Sequence, residues 1–147
     1  MAMTRMFDAP RERVFAAWAR AEHLAHWFGP RGFAIIACEA DARPGGVFRL
    51  CLRAPDGKEY WVRGEYREVV PPERLLITCT ADDHKGVPRM EEVIDVKLTE
   101  QGDGRTQLKL HATARGTTPE AIPMLESMDA VWAQTITRLD SHLNPDS

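Results

Sequence analysis

From Phe33 to about Arg115 apolar and polar residues alternate, whereas the last part of the chain repeats its apolar residues at steps of three and four. Strict alternation puts one side of a strand against a core and the other toward water, and three-four spacing draws an apolar stripe down one side of a helix. Turn-forming clusters cut the alternating region into six runs of strand length. They are Arg43-Pro44-Gly45-Gly46, Pro55-Asp56-Gly57, Pro71-Pro72-Glu73, the segment from Ala81 to Pro88, and Gly102-Asp103-Gly104. Connections this short join strands that are antiparallel neighbours.

Parity assigns the faces. Phe48, Leu50 and Leu52 alternate with Arg49, Cys51 and Arg53, so the first set faces inward and the second mostly water. Tyr60, Val62, Gly64 and Tyr66 continue the inner face against Trp61, Arg63, Glu65 and Arg67, which brings two tyrosines inside. Leu75, Ile77 and Cys79, then Ile94, Val96 and Leu98, then Leu108, Leu110 and Ala112 extend it.

The tail has the complementary shape. Leu125, Met128, Trp132, Ile136, Leu139 and Leu143 form one helical stripe. Pro123 has no amide to donate inside a continuous helix, so the pattern predicts a kink or a true start there. From Pro123 to Leu143 such a helix extends about 30 Å at 1.5 Å per residue, and Asn144-Pro145 ends it. Ahead of the alternating region, Pro10 and the run Arg11 to Trp18 predict a short helix with proline in its first turn and Asp8 as its cap. A second short helix carries Leu24, Trp27 and Phe28 and stops at Gly29-Pro30. With a first strand before Pro10, the class is α+β: a curved antiparallel β-sheet wrapped around a long C-terminal α-helix, with two short helices after the first strand. A sheet with one greasy face and a helix with one greasy stripe bury each other.

Composition sets the boundaries of function. A chain of 147 residues suits one domain, residues 1–147. A net charge of −3 is the wrong sign for phosphate neutralisation over a broad surface, so nucleic acid is not an expected partner. No apolar run reaches the length of a membrane span, so no membrane insertion is expected, and the first ten residues lack an apolar signal region, so the expected location is cytoplasmic. Cys38, Cys51 and Cys79 are odd in number and in no CxxC spacing, which suits small buried residues in strands better than disulfides or zinc. His23 and His26 have helical spacing but His84, His111 and His142 are scattered, so no metal site is expected, and no nucleotide or nucleophile motif points to a cofactor.

Three stretches carry a resemblance. Asp8-Ala9-Pro10-Arg11-Glu12-Arg13-Val14-Phe15-Ala16-Ala17-Trp18, His26-Trp27-Phe28-Gly29-Pro30 and Asp41-Ala42-Arg43-Pro44-Gly45-Gly46 resemble successive signatures of the SRPBCC, or START-like, superfamily. The branch is the bacterial family related to the activator of the heat-shock-protein-90 ATPase. Gly64-Glu65-Tyr66-Arg67-Glu68-Val69 and Pro71-Pro72-Glu73-Arg74-Leu75 extend the match over nearly the whole chain. The resemblance implies the helix-grip fold and a cavity between sheet and long helix. It does not fix the task, because the fold serves ligand carriers, cyclases and a chaperone activator alike. The family often has Gly-Trp in its last helix where this chain has Val131-Trp132, a bulkier pair.

Parity and helical spacing then nominate the wall of that cavity: Phe48, Leu50, Tyr60, Val62, Tyr66, Ile77 and Ile94 from the sheet, and Met124, Met128 and Trp132 from the helix. The alternative is that these residues close-pack as core. Glu92 shares parity with Met90 and Ile94, so it either points inward near the cavity mouth, as acid, base or ligand anchor, or escapes to solvent at a strand end. Arg49, Arg53, Arg63 and Arg67 share the outer face, either as a solvated surface paired with Glu65 and nearby acids or as a docking surface. The segment Asp82-Asp83-His84-Lys85-Gly86 is either a lid or an exposed connection. The leading expectation is the binding of a small, largely hydrophobic molecule. An enzyme of cyclase or aromatase type and a protein-interaction domain, with a second copy of the chain or another protein as partner, are the alternatives.

Overall fold

A computed structural model describes residues 1–144; Pro145, expected to help end the last helix, lies outside the described residues. The strands are β1 (Ala2–Phe7), β2 (Ala34–Ala40), β3 (Val47–Arg53), β4 (Glu59–Val70), β5 (Arg74–Asp82), β6 (Pro88–Glu100) and β7 (Thr106–Gly116). They form one curved antiparallel sheet in the order β1-β7-β6-β5-β4-β3-β2. From β2 to β7 each strand pairs with its successor, as short turns dictate, while β1 closes on β7 with Ala2 opposite His111. Irregularities in register at Ile35/Ala37, Tyr66/Glu68 and Ala81/Asp82 interrupt the ladders where the sheet bends.

Since β1 and β2 lie at opposite edges, the chain between them must cross the sheet. It does so as α1 (Arg11–Ala19) and α2 (Ala21–Trp27). Pro10 occupies the N-cap position of α1 and no side chain caps it, so Asp8 does not play the role expected of it. The two helices are anchored by aromatic rings. Trp18 meets Trp27 edge-on at 4.8 Å and stacks on Trp132 at 6.3 Å, and the Trp27 Nε1 donates to the Ala17 carbonyl at 2.9 Å.

The tail differs in detail from the expectation. A 3₁₀ turn at Pro119–Ala121 leads into a short helix α3 (Ile122–Glu126), followed by α4 (Met128–Leu143). Pro123 falls in the first turn of α3, where a missing amide breaks nothing. The break comes later, at Ser127, whose hydroxyl donates back to the Met124 carbonyl at 3.1 Å. Beyond it, Trp132, Ile136, Leu139 and Leu143 are buried and share one core with Phe48, Leu50, Ile77, Ile94 and Leu110 of the sheet. Each such side chain contributes about 1.5–3 kcal/mol by leaving water.

One assignment by parity is corrected. Cys51, expected on the solvated face, is fully buried. It lies across from Trp61, and the Arg49 guanidinium stacks 4.0 Å above that indole, so a ring and its cation shield this part of the outer face.

Candidate functional site

At one end of the core the helix and sheet part, leaving a cavity of about 320 Å³. Three elements wall it. The sheet supplies Leu52, Tyr60, Val62, Met90 and Glu92; the helical tail supplies Met124, Met128, Val131, Trp132 and Thr135; and the segment after α2 supplies Phe28, Pro30 and Phe33.

That last segment is held from behind. Arg138, on α4, donates from Nη1 to the carbonyls of Gly29 and Pro30 at 3.1 and 3.0 Å, with longer contacts to Phe28 and His26. Four carbonyls at the end of α2 and just beyond it thus share one guanidinium. Gly29 has φ of +98°, and a Cβ there would lie 2.6 Å from the Leu52 side chain, so the chain can turn tightly against the cavity only with glycine.

Among the polar groups on this wall, Glu92 stands out. On β6 it lies opposite Cys79 of β5 and Ala114 of β7, with inward parity. Its Oε2 accepts a hydrogen bond from the Trp132 Nε1 at 3.0 Å. Burial raises the Glu92 pKa, and the Trp132 hydrogen bond only partly opposes it. The Cys79 thiol opposite is pushed up as well, by burial first and by the Glu92 charge second. Among the described residues no donor reaches Oε1. The other acids of the wall are occupied: Asp82 is held by Arg63 Nε and Nη2 at 3.0 and 3.2 Å, and Asp83 by Arg89 at 2.8 Å.

Of the residues nominated from the sequence, Tyr60, Val62, Glu92, Met124, Met128 and Trp132 lie on the cavity wall. Phe48, Leu50, Tyr66, Ile77 and Ile94 are placed elsewhere, in the close-packed core with no exposure. The two inner tyrosines differ accordingly. The Tyr66 hydroxyl donates to the Trp18 carbonyl at 2.9 Å, while Tyr60 edges against Phe33 and His84 at 6.3 Å each. Phe28, Phe33, Met90 and Val131 also line the cavity and were not nominated. Met90 shares parity with Glu92 and could have been found, whereas Phe28 and Phe33 flank a turn, to which no periodicity applies.

The histidines are less scattered than the sequence suggests. His142, at the end of α4, comes within 2.9 Å of His23, Nε2 to Nδ1, and stacks on His26 with ring centroids 5.5 Å apart. No group of three metal-ligating side chains is arranged to hold an ion among the described residues. The outer-face arginines are paired within the chain: Arg49 with Glu39, Arg53 with Glu59, Arg63 with Asp82 and Arg67 with Glu65.

Residues 8–144 match the family described as Activator of Hsp90 ATPase homolog 1-like protein. The chain belongs to that family. Among solved structures of similar shape is protein CV1439 from Chromobacterium violaceum, 29% identical, covering 99% of this chain and 98% of that one with a TM-score of 0.79. Protein NE0264 from Nitrosomonas europaea is 27% identical, with 99% and 94% covered and a TM-score of 0.78. At 21% identity, the AHSA1 protein from Silicibacter pomeroyi shares the fold, with a TM-score of 0.79 over 100% of this chain and 99% of that one. No curated protein matches the sequence. No described helix of this family member is long and apolar enough to cross a membrane.

Proposed function

We propose that the protein binds a small, largely hydrophobic molecule in the cavity between the sheet and α4. The observation that carries the reading is the cavity itself: about 320 Å³, at the low end of the roughly 300–1,000 Å³ of small-molecule pockets, with an apolar wall and few polar groups. Well-packed cores rarely leave voids larger than a water, so an opening of this size bounded by Phe28, Tyr60, Met128 and Trp132 favours an occupant over core packing. The outer-face arginines Arg49, Arg53, Arg63 and Arg67 each have an acid of the same chain as partner, so these four charges are already matched and do not favour a docking role.

The test is a titration with N-phenylnaphthylamine, an apolar fluorophore, against the wild type and Met128→Trp, which fills the cavity from α4. A saturable emission increase in the wild type, lost in a variant whose circular dichroism is unchanged, is the expected result. Equal binding by both proteins, or no saturable signal in the wild type, would overturn the reading.

A further inference from the structure

The cavity wall is electrically one-sided. Its acidic side chains are Asp82, Asp83 and Glu92, and among the described residues neither lysine nor arginine lines it. Two of those acids are already matched, Asp82 by Arg63 and Asp83 by Arg89, so their charges are cancelled from the solvent side. Glu92 alone has no cation. It has one neutral donor, the Trp132 indole, on one oxygen, and no donor on the other among the described residues.

A half-buried carboxylate without a counter-charge loses part of its hydration, and the raised pKa of Glu92 expresses that loss. An incoming group offsets it most when it brings a positive charge and an N–H donor together, since charge-assisted hydrogen bonds are about twice as strong as neutral ones. The surroundings suit the same group. The rings of Phe28, Tyr60 and Trp132 share the wall with Glu92, and aromatic faces attract cations as well as apolar bodies. An anion meets the reverse: a carboxylate of like charge, no cationic partner, and only hydroxyls to donate.

Resting on the cavity-binding reading above, we infer that the ligand class is a small apolar amine, its protonated nitrogen hydrogen-bonded to the free oxygen of Glu92 and its apolar body laid against Trp132, Phe28 and Met128. The hydrogen bond from Trp132 fixes the carboxylate in place, so the amine meets an acceptor already oriented. No covalent step is involved.

Four probes of nearly equal size separate the alternatives by isothermal titration calorimetry near neutral pH: phenethylamine, phenethyl alcohol, propylbenzene and phenylpropionate. Phenethylamine is expected to bind about tenfold or more tighter than the alcohol, with phenylpropionate weakest. Glu92→Gln, which keeps the size and an acceptor but removes the charge, is expected to abolish the preference for the amine over the alcohol. Binding of the alcohol and propylbenzene with no gain for the amine, or tightest binding of phenylpropionate, overturns the amine assignment and leaves the cavity reading standing. Failure of all four probes overturns the amine assignment, and the N-phenylnaphthylamine titration then shows whether the cavity reading falls with it. A preference for the amine that persists in Glu92→Gln overturns the role of Glu92, and should that variant not fold, the wild-type series decides between amine and neutral ligand by itself.

Discussion

His23 Nδ1 and His142 Nε2 are 2.9 Å apart, joining the middle of α2 to the last turn of α4 through a hydrogen bond that needs at least one of these nitrogens without a proton. The surroundings are cationic or neutral. His26 stacks on His142, and Arg13 from α1 donates to the Leu143 carbonyl next door at 2.6 Å. Burial, then His23, His26 and Arg13, hold the His142 pKa below its ordinary value. The unfolded chain therefore binds more protons than the native one as pH falls through about 6.5, and the contribution of this group to stability is present above that pH and is lost below it. Urea midpoints measured between about pH 7.5 and about pH 5.5 should fall with acidification, and the fall should be shallower in His142→Gln. An identical slope in the two proteins would remove the histidine contact from the explanation.

Gly64→Ala tests the closest approach in the sheet. A Cβ at this position on β4 would lie 1.9 Å from the Thr78 carbonyl oxygen and 2.6 Å from the Cys79 Cα, both backbone atoms of β5 that cannot turn aside. The expected loss is about 3 kcal/mol or more, a large share of the roughly 5–15 kcal/mol by which a domain is stable. Thermal unfolding followed by circular dichroism reads it.

The two inner tyrosines should respond differently to losing their hydroxyls. Tyr66→Phe removes a buried bond to the Trp18 carbonyl, near the end of α1, and is expected to cost about 1–2 kcal/mol. Tyr60→Phe, whose hydroxyl has no partner among the described residues, should change stability by less than about 0.5 kcal/mol. Chemical denaturation of both variants checks the contrast, and equal losses would contradict it.

Arg138→Met retains the aliphatic stem but removes the donors that gather the carbonyls of His26, Phe28, Gly29 and Pro30. Amide exchange at Phe28, Gly29 and Gly32 should quicken while exchange in β5 and β6 stays the same, and N-phenylnaphthylamine should bind more weakly. Unchanged exchange at those amides would show that the segment is held by its apolar contacts alone.

What could be read from the residues follows the same divisions. The alternation of Phe48, Leu50 and Leu52 and the stripe from Trp132 to Leu143 predict the sheet, the long helix and their contact, since both depend on periodicity. Parity puts Glu92 on the inner side of β6 but leaves open whether its carboxylate turns out to solvent, and its bond to Trp132 was not legible, because spacing within a strand says nothing about which turn of a distant helix lies opposite. For the same reason parity could not divide the inner face into cavity and core: Tyr60 and Tyr66 share it, yet one lines an opening and the other is sealed. Cys51 defied its parity because its cover, Trp61 under Arg49, is large enough to bury a small neighbour even on the outer face. The meeting of His142 with His23 and His26 joins chain segments more than a hundred residues apart, beyond the reach of any local pattern.

The strand order carries a consequence for how the chain assembles on a ribosome. Ala2 through Phe7 pair with His111 through Thr106, so this strand waits, unpaired, until residues about a hundred positions later have been synthesised. Closing so long a loop comes with a large entropic barrier. The hairpins from β2 to β7 draw no strand partner from β1 except at the β7 edge, so they can form before that edge strand docks.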